Sequence, residues 1–497
     1  MTQRITHFID NRPADVEGSR TAPVYDPATG ASAKEVILAE AETVDAAVTA
    51  AAAAFPAWRD LSIARRQAIL FRFRELLESR KDELAEIITS EHGKVVSDAA
   101  GEIARGQEVL EYALGFAETL KGDYSVNAST GVDVLSFRQP IGVTAIISPF
   151  NFPAMVPMWF FPVALAAGNT VVLKPSEKDP SASIWLGRLL AEAGLPAGVF
   201  NVVHGDKTAV DALVGHPQVA SVSFVGSTPI ARYVYETAAR NGKRVQAFGG
   251  AKNHMLVLPD ADLELVADAA VNAGFGSAGE RCMAISVIVA VEPVADALVE
   301  KVRSRIATLR VGDGRRGCDM GPLVTREHRD RVASYIDIAA QDGATVVVDG
   351  RGIDVDGEAG GFWLGPTLLD RVPLTSRAYT DEIFGPVLSV VRVESYDEGL
   401  ALINSGAFGN GTAIFTNDGG AARRFQYEVE VGMVGVNVPI PVPVAYHSFG
   451  GWKSSLFGDL KAYGRAGFEF FTREKAVTTR WLDPSHGGLN LGFPRNN

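Results

Sequence analysis

The feature that most constrains the fold is the alternation of short apolar runs with helical patterns between residues 141 and 248. Four runs have the length and β-branched content of buried strands: 143–147, 170–173, 200–203 and 221–225. Amphipathic stretches separate them and begin after Pro180, Asp206 and Pro229. This order is typical of a parallel sheet covered by helices on both faces, in which ligands bind at the carboxyl ends of the strands.

A second α/β pattern follows, from about Ala251 to about Ala445. Its strand-like runs lie between helical stretches, at 287–291, 344–348, 387–393 and 412–415. Residues 62–120 instead predict helices, because their apolar side chains recur at three- and four-residue spacing. Two β-prone segments, 124–139 and 476–481, are remote from either set of helices, so we expect a small third sheet that forms an oligomer contact.

Composition and charge exclude several classes of protein. The 497 residues, 47% of them hydrophobic, are enough for more than one domain with a buried core. A formal net charge of -12 disfavours nucleic acid or an anionic membrane surface as a partner. Two cysteines, no apolar leader in residues 1–10 and a longest apolar run that prolines interrupt predict a cytoplasmic protein without a membrane segment.

The segment 275–282, Phe-Gly-Ser-Ala-Gly-Glu-Arg-Cys, has the strongest local signal for chemistry. Its small residues allow a ligand to approach the backbone, and Arg281 places a cation beside the Cys282 thiol, which favours the nucleophilic thiolate. A buried structural cysteine is the alternative that this segment leaves open. Cys318 has no base near it in sequence, and we interpret it as structural.

Three further segments follow predicted strands, where ligands of a parallel sheet bind. Asn151 lies between two prolines after the first strand, so its amide can donate to a developing oxyanion. Lys174 and Glu177 follow the next strand, and a carboxylate there can accept the ribose hydroxyls of a dinucleotide. Ser227, two residues before Pro229, begins a helix whose N-terminus can bind pyrophosphate. Each segment alone is also compatible with ordinary turn chemistry.

Together, these segments resemble those of the aldehyde dehydrogenase superfamily, from about residue 8 to residue 481. Residues 381–387, Asp-Glu-Ile-Phe-Gly-Pro-Val, and residues 404–415 add to the likeness. The resemblance implies an α/β fold with a Rossmann-like NAD-binding domain, an α/β catalytic domain and a small β oligomerisation domain. It assigns 1–121 and 141–249 to the first domain, 250–447 to the second, and 122–140 with 448–497 to the third.

The resemblance also implies roles for individual residues. Cys282 corresponds to the nucleophile and Asn151 to the oxyanion donor. The expected cofactor is NAD, and its expected contacts are Phe150, Lys174, Glu177, Ser227, Glu382 and Phe384. The family uses no metal, and no sequence cluster suggests one.

One departure from the family pattern concerns the end of the reaction. Hydrolytic members carry a Glu-Leu-Gly-Gly-Lys segment, whose glutamate activates the water that cleaves the thioester. Aligned on Lys252, this chain has Phe248 in place of that glutamate. Without the carboxylate, the acyl-enzyme should persist until a thiol takes the acyl group, so we expect coenzyme A as cosubstrate.

The segments 151–159, 250–254 and 279–284 resemble those of acylating members that oxidise malonate and methylmalonate semialdehydes. These members give acetyl-CoA or propanoyl-CoA with release of CO2 and NADH. In them two arginines bind the substrate carboxylate, and the matching residues here are Arg105 and Arg281, whose forked donors suit that task. A solvated helix-face arginine is the alternative for Arg105.

Three other functions stay open from the sequence. A hydrolytic NAD(P)-dependent aldehyde dehydrogenase, giving a free carboxylic acid, could recruit Glu382 as a base through water. A silent dinucleotide-binding protein is disfavoured because Cys282, Asn151 and Glu382 are all retained. A dehydrogenase without a covalent intermediate is disfavoured because no Gly-x-Gly-x-x-Gly segment follows the early strands. By resemblance we expect a homodimer or homotetramer.

Overall fold

The computed structural model describes residues 3–16, 18–355, 359–483, 489 and 491–492. Parts of the predicted third domain, 484–488, 490 and 493–497, lie outside the described residues. The helices of the described residues are α1 (Ala41–Asp60), α2 (Ile63–His92), α3 (Val96–Leu114), α4 (Phe116–Thr119), α5 (Met155–Ala167), α6 (Ser181–Glu192), α7 (Lys207–Gly215), α8 (Thr228–Arg240), α9 (Leu263–Phe275), α10 (Ala295–Ile306), α11 (Arg326–Gln341), α12 (Arg377–Thr380), α13 (Tyr396–Ser405), α14 (Gly419–Glu428) and α15 (Gly464–Phe471).

The strands of the described residues are β1 (Gln3–Ile5), β2 (His7–Ile9), β3 (Arg12–Ala14), β4 (Thr21–Asp26), β5 (Ala31–Ile37), β6 (Tyr124–Ser129), β7 (Val132–Pro140), β8 (Val143–Ile147), β9 (Thr170–Lys174), β10 (Phe200–Val202), β11 (Val219–Val225), β12 (Arg244–Phe248), β13 (Asn253–Val257), β14 (Ile285–Val291), β15 (Thr345–Val348), β16 (Thr367–Asp370), β17 (Val387–Val393), β18 (Phe408–Gly409), β19 (Gly411–Phe415), β20 (Met433–Val436), β21 (Trp452–Lys453), β22 (Leu456–Phe457) and β23 (Thr472–Thr479).

The first large sheet has the strand order β22-β12-β11-β8-β9-β10-β2-β3, and its central strands run parallel. Alternate residues of β8 enter different apolar clusters: Ala145 packs with α1, α7 and α8, and Ile146 packs with α2, α3, α5 and α6. The expected parallel sheet with helices on both faces is therefore confirmed. Because β8 has β9 on one side and β11 on the other, a crevice opens at the carboxyl ends of β8 and β11.

The second large sheet has the order β15-β16-β17-β14-β13-β19-β20 and a separate apolar cluster of its own. Its strands are parallel except for the edge strand β15. The second α/β pattern expected from the sequence is thus present. Its connection between α9 and β14 carries Cys282 and brings it towards the crevice of the first sheet.

A third sheet, β23-β7-β6, is antiparallel and largely exposed. Residues 448–471 do not join it, although the sequence assigned them to the same segment. Instead, β22 pairs with β12 and α15 packs against α5. This pairing covers the edge strand of the first sheet, which would otherwise present unpaired backbone groups. Within the described ranges, no helix is sufficiently long and apolar to span a bilayer.

Candidate active site

Cys282 lies in the connection from α9 to β14. A 3-10 turn at Gly276–Gly279 precedes it, and in this turn Ser277 has a left-handed φ of 52°. The Cys282 carbonyl accepts hydrogen bonds from the side-chain amides of Asn253, at 2.9 Å, and Asn410, at 3.0 Å. An unusual backbone conformation supported by two side-chain donors is a common way to hold a reactive group in a defined position.

Two adjoining cavities meet at Cys282. The larger, of about 640 Å³, lies at the carboxyl ends of β8, β11 and β12, and the smaller has a volume of about 310 Å³. The sequence-predicted residues in the wall of the larger cavity are Phe150, Asn151, Ser227, Glu382 and Phe384. Those in the wall of the smaller cavity are Arg105 and Arg281. The fold therefore brings seven of the nine other predicted residues around the Cys282 thiol.

Lys174 and Glu177 are the two predicted residues that the described walls of these cavities do not include. Lys174 is buried, and its ammonium donates to the main-chain oxygens of Pro175, at 2.7 Å, and Gly205, at 2.6 Å. Burial lowers the pKa of Lys174, and the Glu177 carboxylate 3.6 Å away acts in the opposite direction. Their assignment to cofactor binding stays a prediction.

The amino end of α8 forms one wall of the larger cavity. Ser227 is its N-cap residue, but the Ser227 side chain makes no capping hydrogen bond. Thr228 Oγ1 instead accepts from the Gly250 amide at 2.8 Å, which joins α8 to the end of β12. The first amides of α8 are therefore available to a ligand.

Glu382 and the aromatic residues form the opposite wall. Glu382 accepts a hydrogen bond from the Ala251 amide at 2.8 Å, and burial raises the pKa of its carboxyl to about 7. Phe384 has a left-handed φ of 60°, and its ring centroid lies 5.9 Å from that of Phe150. The Lys178 ammonium lies 4.6 Å from the Phe150 ring centroid, a cation–π distance. This wall thus combines aromatic rings with ionisable groups, and His328, Arg331 and Asp381 also line the cavity.

Burial of the Cys282 side chain is the main influence on the pKa of its thiol. Burial, followed by the charge of Glu382, raises the pKa of the Cys282 thiol to about 12. Arg281 acts in the opposite direction but is the smaller influence. The direction expected from the sequence, in which Arg281 favours the thiolate, is therefore present, but burial outweighs the charge of the guanidinium, which is also ion-paired with Asp98.

The smaller cavity combines an apolar wall with four charged side chains, those of Asp98, Glu102, Arg105 and Arg281. Arg281 is paired with Asp98, and the Arg105 guanidinium lies 2.8 Å from the Glu108 carboxylate. The Arg105 side chain is 46% exposed, so it lies at the mouth of the cavity. The apolar wall is formed by Phe152, Met155, Trp159, Met283, Ile440, Val442 and Phe449. Such a cavity suits a small ligand with one anionic end.

Phe248, which the resemblance aligns with the base of hydrolytic members, lies in the core. It ends β12 and is 2% exposed. Its ring centroid is 6.0 Å from that of Phe160 and 6.1 Å from that of Phe449. Because Phe449 lines the smaller cavity, the Phe248 ring supports that wall from behind.

The sequence of the chain matches the model of the aldehyde dehydrogenase family over residues 15–477. The chain belongs to this family. Malonate-semialdehyde dehydrogenase of Pseudomonas aeruginosa is 54% identical over 491 residues, which cover 98% of this chain and 99% of that protein. The resemblance expected from the sequence is therefore confirmed.

Two further relatives of this aldehyde dehydrogenase extend the comparison. Mitochondrial methylmalonate-semialdehyde dehydrogenase [acylating] of Arabidopsis thaliana is 46% identical over 484 residues, covering 97% of this chain and 80% of that protein. A solved structure from Sinorhizobium meliloti 1021, provisionally described as a methylmalonate-semialdehyde dehydrogenase and complexed with NAD, has a TM-score of 0.96 at 51% identity. It covers 97% of this chain and 99% of that chain, so the expected aldehyde dehydrogenase fold is also confirmed.

Sequence reasoning missed several residues that organise the site of this aldehyde dehydrogenase. Asn253 and Asn410 lie in segments that resembled the family, but nothing in their local sequence indicates that both hold the Cys282 carbonyl. Lys94 and Glu102 form a buried ion pair beside Asn151, although charged residues at these positions suggest a solvated helix surface. Within the described residues, no group of three or more His, Cys, Asp or Glu is arranged to hold a metal ion.

Proposed function

We propose that this aldehyde dehydrogenase is a CoA-acylating enzyme that uses NAD to convert malonate or methylmalonate semialdehyde into acetyl-CoA or propanoyl-CoA, CO2 and NADH. The observation that carries the proposal is Phe248, an apolar ring where hydrolytic members have the glutamate that activates water. Relatives named for the same two semialdehydes, one of them named as acylating, support it over the hydrolytic alternative.

The residues around the larger cavity fit NAD. The amides at the start of α8 can bind the pyrophosphate, since the Ser227 side chain does not occupy them. A Cβ atom added at Gly250 would lie 2.2 Å from the Glu382 carboxylate, so glycine keeps this wall close to the acid. We assign the binding of the ribose hydroxyls to Glu382. We assign contact with the faces of the cofactor's rings to Phe150 and Phe384. When bound, NAD supplies the acceptor for the hydride that leaves the substrate.

In our proposal, Cys282 carries the covalent chemistry. The thiol gives its proton to solvent, and the sulfur bonds to the aldehyde carbon while the π electrons of the carbonyl move to its oxygen. The resulting alkoxide accepts hydrogen bonds from the Asn151 side chain and the Cys282 amide. Loss of hydride from the same carbon leaves a thioester on Cys282. The thiol of CoA then attacks the thioester carbon, and the Cys282 sulfur departs and regains a proton.

Decarboxylation needs a carbonyl to accept the electron pair of the breaking carbon–carbon bond. In the thioesters formed from both semialdehydes, the thioester carbonyl lies β to the carboxylate and can accept this electron pair. It can do so while the acyl group is on Cys282 or after the acyl group has moved to CoA. A proton then replaces CO2 on the carbon that carried it. We assign the binding of the carboxylate to Arg105 and Arg281, which lie in the same cavity wall as Cys282.

We also infer an oligomer and a cytoplasmic location. The β6–β7–β23 sheet exposes Tyr124 and Val126 by 60% and 71%, and a partner subunit would cover such side chains. A homodimer or homotetramer built on this sheet follows. Both Cys282 and Cys318 are free thiols, and the reaction needs Cys282 to remain one, as in a reducing compartment.

Replacing Phe248 by glutamate is expected to allow free-acid formation without CoA. Gly249 and Gly250 follow Phe248 and line the cavity beside Cys282, and a glutamate side chain should leave the apolar core for this cavity. Stability should fall by about 3 to 5 kcal/mol, the usual effect of losing a buried phenyl ring. The measurement is the mass of the product formed from malonate semialdehyde and NAD alone.

Phe248→Gln is the matched control for this substitution. It removes the same ring and introduces a side chain of nearly the same shape, but it supplies no base. We therefore expect a similar loss of stability and no free acid. If the glutamate and glutamine variants both fold and both form only the acyl-enzyme, Phe248 does not determine the need for CoA.

A further inference from the structure

A lysine and a glutamate are paired in the core beside the nucleophile. Lys94 lies between α2 and α3, and Glu102 lies in α3. Their side chains are 0% exposed, and Lys94 Nζ lies 2.7 Å from a Glu102 carboxylate oxygen. Burying two charges carries a large desolvation cost, which such a pair offsets only when further hydrogen bonds satisfy both groups.

Those further hydrogen bonds all go to one loop, residues 150–155. Lys94 Nζ donates to the Asn151 carbonyl at 2.5 Å, and it lies 4.4 Å from the ring centroid of Phe152. The second Glu102 oxygen accepts from the amides of Ala154, at 2.9 Å, and Met155, at 3.1 Å. The ion pair therefore connects α3 to both ends of this loop.

Glu102 supplies the hydrogen-bond acceptor that the N-terminus of α5 lacks. The N-cap residue of α5 is Ala154, whose side chain cannot accept a hydrogen bond. A carboxylate from another helix satisfies the free amides there, and its charge is favourable at a helix N-terminus. The position of α5, and with it the loop that carries Asn151, is consequently set by α3.

The loop depends on the Lys94–Glu102 pair because no residue that the structure describes holds the side-chain amide of Asn151. Its main-chain carbonyl is held by Lys94, while its side-chain amide makes no hydrogen bond to any other residue that the structure describes. Asn151 and Cys282 share the wall of the larger cavity. The amide position relative to the thiol therefore depends on the main chain that Lys94 holds.

We propose that Lys94 and Glu102 are positioning residues that hold the Asn151 amide where the oxyanion forms, an inference that rests on the proposed function. A displacement of about 1 Å at such a donor lowers a reaction rate by about 100-fold. The same helix also contributes Asp98, which holds Arg281, and Arg105. The helix α3 thus helps to position the oxyanion donor and the two substrate arginines relative to Cys282.

The test is the single-turnover rate of NADH formation from saturating malonate semialdehyde and NAD without CoA. This rate excludes the later transfer to CoA. For Asn151→Ala we expect a fall of about 100- to 1000-fold. For the double variant Lys94→Met/Glu102→Gln we expect a fall of about 10- to 100-fold, because the glutamine still accepts from the loop amides but the Asn151 carbonyl has lost its donor.

The deciding measurement places the double substitution in the Asn151→Ala background. We expect less than about a twofold further fall there, because residues that act through one donor are not additive. The matched control is Lys34→Met/Glu91→Gln, which removes an ion pair of 2.6 Å whose residues line neither cavity and whose other described side-chain hydrogen bonds go to Ser181. Its single-turnover rate should equal that of the unaltered chain.

Three results would overturn the inference. The double variant could keep the normal rate while Asn151→Ala loses it, or it could cause the same fall with and without Asn151, which indicates a general structural role. If Asn151→Ala keeps the normal rate, the oxyanion assignment and the inference fail together, while CoA dependence is decided separately. Should the double variant not fold, Lys94→Arg preserves the charge, displaces the donor and is judged by the same comparison.

Discussion

Replacing Cys282 by alanine is expected to lower NADH formation from malonate semialdehyde by at least about 10⁴-fold, the scale on which enzymes lose activity when their nucleophile is removed. NAD binding should be nearly unchanged, because the residues that we assign to cofactor binding do not include Cys282 and remain in place. The first value is measured by NADH absorbance under saturating substrates, and the second by calorimetric titration with NAD.

Cys318→Ala is the matched control for this loss. The Cys318 thiol donates to the main-chain oxygens of Gly312, at 3.0 Å, and Asp313, at 3.1 Å, and it lines neither cavity at Cys282. We expect full activity from this variant. Normal turnover by Cys282→Ala, or equal losses from both substitutions, would contradict the assignment of the nucleophile.

Arg105→Leu is expected to lower kcat/KM for malonate semialdehyde by about 10- to 100-fold, the value of one hydrogen bond to a charged group. An uncharged aldehyde of similar size, such as propanal, should be oxidised with nearly unchanged kcat/KM, because it has no carboxylate to lose a partner. The measurement is initial rates for both aldehydes at saturating NAD and CoA.

Glu108→Gln is the complementary substitution, because it keeps the Arg105 guanidinium and removes the carboxylate that pairs with it. Glu108 pairs with Arg105 in the structure, and this exposed pair is worth about 0 to 1 kcal/mol. Removing the competing carboxylate should leave kcat/KM for the semialdehyde equal or slightly higher. If Arg105→Leu affects both aldehydes equally, the arginine does not bind the substrate carboxylate.

Much of the fold could be predicted from apolar patterning alone. The bounds of β8 and β17 agree with the predicted strands, because both are rich in β-branched apolar residues and are buried along nearly their whole length. The short strands β1 to β3 and the strand β22 were not predicted. β1 to β3 have three residues each and β22 has two, so they are too short for periodicity or length to distinguish them from loops.

The sequence predicts those site residues that come directly after a strand of the parallel sheet, because ligands bind at that end of the strands. Asn151 and Ser227 meet this condition, and the fold places both around the larger cavity. The environment of the thiol was not predictable, because Glu382 and the apolar core that raise the Cys282 pKa come from remote segments. The Lys94–Glu102 pair is not predictable from the sequence for the same reason. Only the packing of α3 against the 150–155 loop explains why these two charges are buried.

The central claim is that the acyl group on Cys282 waits for CoA because this chain lacks the base of hydrolytic members. The most direct test follows NADH formation by the unaltered enzyme from malonate semialdehyde, with and without CoA, and identifies the products by mass. Without CoA we expect a burst of about one NADH per Cys282 and then no turnover; with CoA we expect continuous turnover to acetyl-CoA. Continuous release of a free acid at full rate in the absence of CoA would contradict the claim.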